Sequence, residues 1–422
     1  MRLLYTLLWY LLMPFLFLHL WWLGARAPAY RGRWRERLAL GYRQRLDGCV
    51  WVHAVSVGET LAAAPMIEAL LQRYPDMPLL VTSTTPTGSE RVRALFGSRV
   101  HHVYWPWDTP GVISRFWRNF NPRLVILLET ELWPNLIAAA GQRNVPVVLA
   151  NGRLSARSHR GYARLRGLMR PMLQSLRALA VQTAVEAERF VDLGAAAERV
   201  TVTGNVKFDI SLDDGLRGRA AQLREQFGDR PVWIAASTHP GEDEVVLAAH
   251  AQLCRHCADA LLILVPRHQE RFEQVAALVV QQGFAVARRS RDQLPDADAA
   301  VYLADTIGEL LMLFGAADIA FVGGSLVPVG GHNLFEPALW SKPIITGPVL
   351  HNFTLIADLL DAAGAHRLVE NEVELAALLQ HLFSEPVLRQ QMGERAADVV
   401  KAHRGALAKL LTMLESYWPA AR

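Results

Sequence analysis

"CVWVHAVSVGETLAAAPMIEALLQRY", residues 49–74, is the stretch whose reading decides the fold. Cys49–Val57 is an apolar, β-branched run of strand length, Gly58 makes a turn, and helical periodicity covers Thr60–Tyr74. A strand feeding a helix through a tight turn is the opening of a βαβ unit. The alternation repeats, with strands expected at Leu79–Thr84, Val100–Tyr104, Leu124–Leu128, Val145–Ala150, Ala178–Gln182 and Val200–Thr203, and a helix over Pro134–Arg143. After the polar, strand-free stretch 209–229 it restarts at Val232–Ala236, Leu261–Val265, Ala285–Ala287, Ala300–Leu303, Ile319–Val322 and Pro343–Thr346. Continuous apolar strands separated by helices belong to parallel sheets buried on both faces. The expectation is an α/β protein of two doubly wound, Rossmann-like domains facing a central cleft, with sites at the carboxyl ends of the strands. Its parts are an anchor over 1–25, a first domain over 26–208, a linker over 209–229 and a second domain over 230–422.

A chain of 422 residues has room for two full cores, and 51% hydrophobic with 20% charged residues is the composition of a folded protein. The net charge of +4 is modest but uneven, since seven arginines face one glutamate between Gly24 and Arg45. They follow Leu3–Ala25, which holds no Lys, Arg, Asp or Glu and ends near Trp21-Trp22. Such a run is long enough to cross a bilayer, with the tryptophans at its interface. It exceeds the h-region of a signal peptide, and the arginines after it resist translocation. A membrane anchor is therefore expected, with the remaining chain on the cytoplasmic side; Pro14 and His19 leave a monotopic insertion open. Three cysteines suit a reducing compartment, and the lone Cys254-x-x-Cys257 reads as structural. No nucleic-acid partner is expected.

In the first domain Glu59 starts the helix behind Ser56, at the open end of the first strand. A carboxylate there complements the helix dipole, and it also stands where active-site groups collect on this architecture. In "VILLETELWPNL", Glu129 and Glu131 follow a strand and can cap the next helix or bind hydroxyls. Asn151 and Arg153 end another strand, and Arg157 and Arg160 extend the positive surface, as a solvated face or an anion-reading edge.

In the second domain, "ASTHPGEDE" sets Ser237, Thr238 and His239 before a helix whose Glu242 reads as an ordinary N-terminal acid. Arg267 and His268 directly follow a strand, where a guanidinium suits a phosphate. Asp305 and Thr306 precede Gly308-Glu309. "FVGGSLVPVGGHNLFEPALWSKPIITGP", residues 321–348, has two glycine pairs but no Gly-Lys-Ser/Thr, so it is no P-loop. Asn333-x-x-Glu336 fits a capping box. It equally fits a site where Gly330, Gly331, His332 and Asn333 offer backbone N–H groups to one phosphate and Glu336 accepts from a ribose diol. Asp296-Ala297-Asp298 precedes a strand, away from the site end, and no metal site is expected there or elsewhere.

With these residues placed, the sequence resembles the 3-deoxy-D-manno-octulosonic acid (Kdo) transferases of lipopolysaccharide assembly. The resemblance covers nearly the whole chain: the anchor, "SVGE", "ETELWPN", "NGRLS", "GNVKFD", "STHPGEDE", "VPRHQERF", "DTIGEL" and "GGSLVPVGGHNLFEPALWSKPIITGP" in order. It implies a GT-B fold and an inverting, metal-independent transfer of Kdo from CMP-Kdo to a lipid A precursor at the inner membrane, with no cofactor. By the matching motifs Glu59 is the catalytic base, and Arg267, His268, Gly308, Glu309, Gly330, Gly331, His332, Asn333, Glu336 and Lys207 face the donor. Ser56, Glu129 and Arg153 are the candidates on the acceptor side. The competing readings are another membrane-associated GT-B enzyme using a UDP-sugar, and an inactive sugar-nucleotide binding protein.

Overall fold

The computed structural model describes residues 1–42, 45–209, 212–296 and 298–419. The chain forms two compact units, Met1–Asp209 with Arg404–Arg422, and Ile210–His403. All thirteen expected strands are present within a few residues of their expected bounds, and a fourteenth joins them.

The first unit holds β1 (Val50–His53), β2 (Leu79–Ser83), β3 (His101–Tyr104), β4 (Leu124–Leu128), β5 (Val147–Gly152), β6 (Ala178–Val181) and β7 (Val200–Val202). They form one sheet in the order β3-β2-β1-β4-β5-β6-β7, and every pairing is parallel. Successive side chains of a strand point to opposite faces. In β4, Val125 and Leu127 enter one buried cluster with Trp51, Leu149 and Phe116, while Leu124, Ile126 and Leu128 enter another with Val52, Val81 and Ile67. Strand order reverses between β1 and β4, the position where open α/β sheets bind ligands at the carboxyl ends.

The second cluster of this unit is completed from the far end of the chain. Helix Ala406–Glu415 buries Ala406, Leu410 and Leu414 in it, a stripe of four-residue spacing. Asp209 accepts from the Gly405 N–H at 2.6 Å and from the Leu407 N–H, which fixes the start of that helix. The expected second domain of 230–422 thus loses its last residues to the first unit. The expected linker also changes: Asp214–Phe227 is a helix capped by Asp213, and Ala220, Leu223 and Phe227 are buried in a cluster of the second unit. Ile210 and Ser211 of that stretch lie outside the described residues.

Helix Arg2–Arg26 is long and apolar enough to cross a membrane. One side of it rests on its own unit. Tyr5 donates to Asp108 Oδ2 at 3.0 Å, and Thr6 bonds Asn135 at 3.1 Å. Trp9 lies 6.3 Å from Trp107 and 6.1 Å from Trp133 between ring centroids, and Phe17 lies 4.6 Å from Trp107. Leu3, Leu4, Leu7, Leu8, Leu11, Phe15, Leu18, Trp21 and Trp22 stay exposed.

The second unit holds β8 (Val232–Thr238), β9 (Leu261–Pro266), β10 (Ala285–Arg288), β11 (Ala299–Leu303), β12 (Ile319–Val322), β13 (Ile344–Thr346) and β14 (His366–Leu368). Its parallel sheet runs β10-β11-β9-β8-β12-β13-β14. The order reverses between β8 and β12. The edge strand β14 escaped the sequence reading because it is three residues long and exposes Arg367 and Leu368. Cys254 ends helix Glu242–Cys254, and all three cysteines are free. Asp296 Oδ1 accepts the N–H groups of Asp298 at 3.1 Å and Ala299 at 2.9 Å, a turn into β11; Ala297 lies outside the described residues.

Candidate active site

The first unit gathers acids where β1 and β4 end. Helix Val57–Arg73 begins with Ser56 as its cap, and the Ser56 hydroxyl accepts from the Glu59 N–H at 3.4 Å. The Glu59 carboxylate turns back and accepts from the Val55 N–H at 2.8 Å. This reciprocal pair holds the side chain in one orientation. Burial pushes the Glu59 carboxyl up to about 7; Glu129 and Glu131 push the same way, against the Val55 N–H and Lys207. A carboxylate with that pKa is poised to accept a proton near neutral pH.

Glu129 directly follows β4 with φ of 55°, a left-handed conformation uncommon away from glycine. Its Oε1 lies 2.7 Å from Lys207 Nζ. Lys207, expected against the donor, thus sits in the first unit as the counter-ion of Glu129. Glu131 accepts from Trp133 Nε1 at 2.9 Å and lies 3.5 Å from Nε2 of the fully buried His53. Burial lowers the His53 pKa, so that ring is neutral at pH 7. Asn151, also left-handed at φ 54°, accepts from the Val206 N–H at 3.1 Å and so anchors the turn carrying Lys207. Arg153 is exposed, and its carbonyl accepts from the Thr130 hydroxyl.

In the second unit the loops after β8 and β12 are tied together by a buried acid. Glu242, 0% exposed, accepts from the N–H groups of Gly324 (2.7 Å), Ser325 (3.0 Å), Leu326 (2.9 Å) and His239 (2.9 Å). It fills the anion nest at the end of β12 from within. The role of an ordinary N-terminal acid understates it; its position at the start of a helix after a strand was the only signal in the sequence. Beside it Asp243 pairs with Arg271 and accepts from the Thr238 hydroxyl at 2.6 Å.

The glycine turn is partly closed on itself. Gly330 and Gly331, at φ 108° and 81°, donate to the Gly324 carbonyl at 3.1 and 2.7 Å. Their N–H groups are committed there, whereas those of His332 and Asn333 make no hydrogen bond within the described residues. The capping box is incomplete: Asn333 Oδ1 accepts from the Phe335 N–H at 3.1 Å, but Glu336 Oε1 accepts from the Asn333 side chain at 3.1 Å instead of its backbone. The other Glu336 oxygen makes no hydrogen bond within the described residues, and burial raises this carboxyl above its ordinary pKa. Arg267 and His268 are exposed at the end of β9. Glu309 is gripped by Arg289 at 2.7 and 2.9 Å and by the Thr306 hydroxyl at 2.5 Å, behind Gly308 at φ 90°. Its carboxylate already has a guanidinium partner. Among the described residues no group of three or more His, Cys, Asp or Glu side chains is placed to hold a metal ion.

Residues 32–210 match the family model described as 3-Deoxy-D-manno-octulosonic-acid transferase (kdotransferase). The chain is 40% identical over 420 residues to the 3-deoxy-D-manno-octulosonic acid transferase of Haemophilus influenzae, spanning 99% of this chain and 98% of that one. The Bordetella pertussis protein of the same name is 39% identical over 409 residues, covering 93% and 90% of the two chains. The UDP-GlcNAc 2-epimerase of Neisseria meningitidis superposes with a TM-score of 0.58 at 14% identity, covering 87% of this chain and 100% of that one. That likeness concerns the fold, the GT-B type with two Rossmann-like parallel-sheet domains. Near-complete alignment at 40% identity shows that the chain belongs to the Kdo transferase family of glycosyltransferases.

Proposed function

We propose that the protein transfers Kdo from CMP-Kdo to a hydroxyl of a lipid A precursor, with inversion and without a metal ion. The observation that carries the reading is Glu59: a carboxylate at the carboxyl end of β1, beside the strand-order reversal, with a pKa near 7. The Glu59 carboxylate takes the proton of the acceptor hydroxyl as its oxygen bonds the anomeric carbon of Kdo. The bond from that carbon to the phosphate oxygen breaks, and CMP leaves with the electron pair. A single displacement inverts the centre and needs no enzyme nucleophile. Lys207 beside Glu129 supplies a cation near the base, and Ser56, Glu129 and Arg153 are the acceptor-side candidates.

For the donor, the free oxygen of Glu336 suits a ribose hydroxyl, and the open N–H groups of His332 and Asn333 with Arg267 suit one phosphate. Gly330 and Gly331 shape that turn through their positive φ and donate to the Gly324 carbonyl instead of to the phosphate. Gly308 and Glu309 act indirectly, through the Arg289 pair. The acids nearest the donor loops, Glu242 and Asp243, are already bound by amides and Arg271, so charge is answered there by cations of the protein.

Helix Arg2–Arg26 seats the enzyme on inner-membrane lipids. Its contacts with the β-sheet part of the unit run from Tyr5 to Phe17, Arg31 adds a bond to the Trp21 carbonyl, and together they support a helix lying in the membrane plane. Beyond Phe17 the helix has nine residues, roughly 13 Å at 1.5 Å each, too short for a hydrocarbon core of about 30 Å. The arginines after it favour the cytoplasmic leaflet, whose lipids are anionic. No nucleic-acid partner enters this reading.

Incubation of the purified protein with CMP-Kdo and a tetraacylated lipid A precursor, with EDTA present, tests it by mass spectrometry. Addition of Kdo to the lipid is expected; folded protein that yields no product refutes the reading.

A further inference from the structure

The N-terminal helix grips the segment after β4 at three places. Tyr5 donates to Asp108 Oδ2 at 3.0 Å, and the side chains of Thr6 and Asn135 bond each other at 3.1 Å. Trp9, one turn beyond Tyr5, packs on Trp133 with ring centroids 6.1 Å apart. Helix Pro134–Gln142 depends on this grip at its start. Its cap position is Trp133, whose side chain offers no acceptor to the first free amides. The fully buried Asp108 accepts instead from the N–H groups of Asn135 at 2.9 Å and Leu136 at 2.8 Å. The cap comes from outside the helix, and Tyr5 holds it.

Trp133 in turn holds Glu131. Its Nε1 donates to Glu131 Oε2 at 2.9 Å, and the same oxygen faces His53 Nε2 at 3.5 Å. Trp105 stacks on His53 with centroids 3.7 Å apart and lies 5.3 Å from Trp133. The Trp133 ring therefore has two indole neighbours, Trp105 from the buried core and Trp9 from the N-terminal helix. Removal of Trp9 opens space into which the ring can turn, and a turned ring withdraws its N–H from Glu131. The second oxygen of Glu131, Oε1, makes no hydrogen bond within the described residues. The side chain is partly exposed and near enough to Glu59 to raise that carboxyl. Oε1 is thus an oriented acceptor close to the proposed base, suited to a sugar hydroxyl.

We propose that Trp9 is a positioning residue for the acceptor: the docked N-terminal helix, acting through Trp133, aims Glu131 at a sugar hydroxyl of the lipid. The inference rests on the assignment of the first unit to the acceptor. One face of the helix then serves the membrane and the other serves the site. A helix lifted from its dock leaves Glu131 without a fixed direction, so the helix contributes to acceptor recognition beyond concentrating the enzyme at the bilayer.

Kdo transfer by the full-length protein in mixed micelles, with lipid acceptor and CMP-Kdo varied separately, tests the route. Trp9→Ala, checked for unchanged Tm and vesicle binding, is expected to raise the KM for the lipid about tenfold, the scale of coupling between groups in contact, with the KM for CMP-Kdo unchanged. Trp9→Phe keeps a ring against Trp133 and should recover most of that loss. Trp133→Phe removes the Nε1 donor and should raise the KM for the lipid to a similar extent, and the double variant Trp9→Ala/Trp133→Phe should be no worse than either single one. A wild-type KM for the lipid in Trp9→Ala, or losses that multiply in the double variant, overturns the positioning role and leaves the assigned reaction standing. Hydrogen exchange read by mass spectrometry gives a measure independent of turnover. Residues 129–137 are expected to exchange faster in Trp9→Ala and not in Leu8→Ala, whose side chain lies on the exposed side of the same helix. Absence of Kdo transfer by the wild type overturns the assigned reaction, and exchange unchanged by Trp9→Ala overturns the positioning role by itself.

Discussion

The Val55 N–H donates to Glu59 Oε2 at 2.8 Å, four residues before it in the chain. One backbone group thereby fixes the orientation of the proposed base through a single carboxylate oxygen. Two effects oppose each other at this carboxyl. The hydrogen bond favours the ionised form, while burial and the acids Glu129 and Glu131 disfavour it, and burial wins. The outcome is a carboxyl that is half-ionised near neutrality, as the proposed base requires, in place of a salt-bridged structural acid.

Glu59→Gln separates catalysis from stability. Removal of a general base is expected to lower kcat by about 10²- to 10⁴-fold with CMP affinity unchanged. In wild type the rate should fall as pH drops through about 7, because the base must be deprotonated, and this limb should vanish from the residual activity of the variant. Stability should move the other way. The folded pKa is raised, so the contribution of Glu59 is fully present below its unfolded pKa and is lost as pH rises through about 7. The variant should therefore gain Tm over wild type at pH 8 and not at pH 4, measured by thermal unfolding at both.

Lys207 and Glu129 tune that limb in opposite directions. Lys207 lowers the Glu59 pKa and Glu129 raises it. Lys207→Met should shift the acid limb of kcat/KM above that of wild type, and Glu129→Gln should shift it below. Equal profiles in all three proteins would show that burial alone sets the pKa.

Glu242 carries four backbone hydrogen bonds with no exposure to solvent. Truncation to alanine leaves buried N–H groups unpaired in the β8 and β12 loops. The expected loss is about 3–5 kcal/mol, read as a lower urea midpoint for the second unit. Glu242→Gln keeps the volume but offers an amide NH₂ to N–H donors, so it should recover only part of the loss. Retention of wild-type stability in both variants would mean that water satisfies those amides.

Much of this was legible because buried parallel strands are continuous apolar runs: Leu124–Leu128 was bounded correctly from sequence alone. Position after a strand end was likewise legible for Glu59 behind β1 and Arg267 behind β9, whose roles remain the proposal above. What escaped depends on contacts distant in sequence. Asp209 caps a helix that starts almost two hundred residues later, which moves the domain boundary. Glu242 looks like any first-turn acid until the β12 loop closes over it. The Nε2 atoms of His239 and His332 meet at 2.8 Å across 93 positions of the chain, and no local pattern pairs them. The amides of Gly330 and Gly331 seemed available because the Gly324 carbonyl that accepts from them belongs to a turn of the same loop, and composition does not reveal its closure.

The anchor makes a topological prediction. Tyr5 and Thr6 bond Asp108 and Asn135, and Asp108 also accepts from the N–H groups of Asn135 at 2.9 Å and Leu136 at 2.8 Å. Pulling the helix upright would strip a tyrosine from a carboxylate that caps helix Pro134–Gln142, and would uncover Trp107 and Trp133. The docked helix instead leaves the row from Leu3 to Trp22 exposed along its length, the face the proposed in-plane anchor would give to lipid. Arg2→Cys and Gly32→Cys, built with Cys254 and Cys257 changed to serine, report on its two ends. In inverted inner-membrane vesicles a membrane-impermeant maleimide should label both positions, and in right-side-out vesicles neither. A spanning helix would give labelling of residue 2 and residue 32 from opposite faces. Loss of the Tyr5 bond in Tyr5→Phe should leave the protein on the membrane, since the exposed apolar row and not the docking face contacts the lipid, while making extraction by high pH easier.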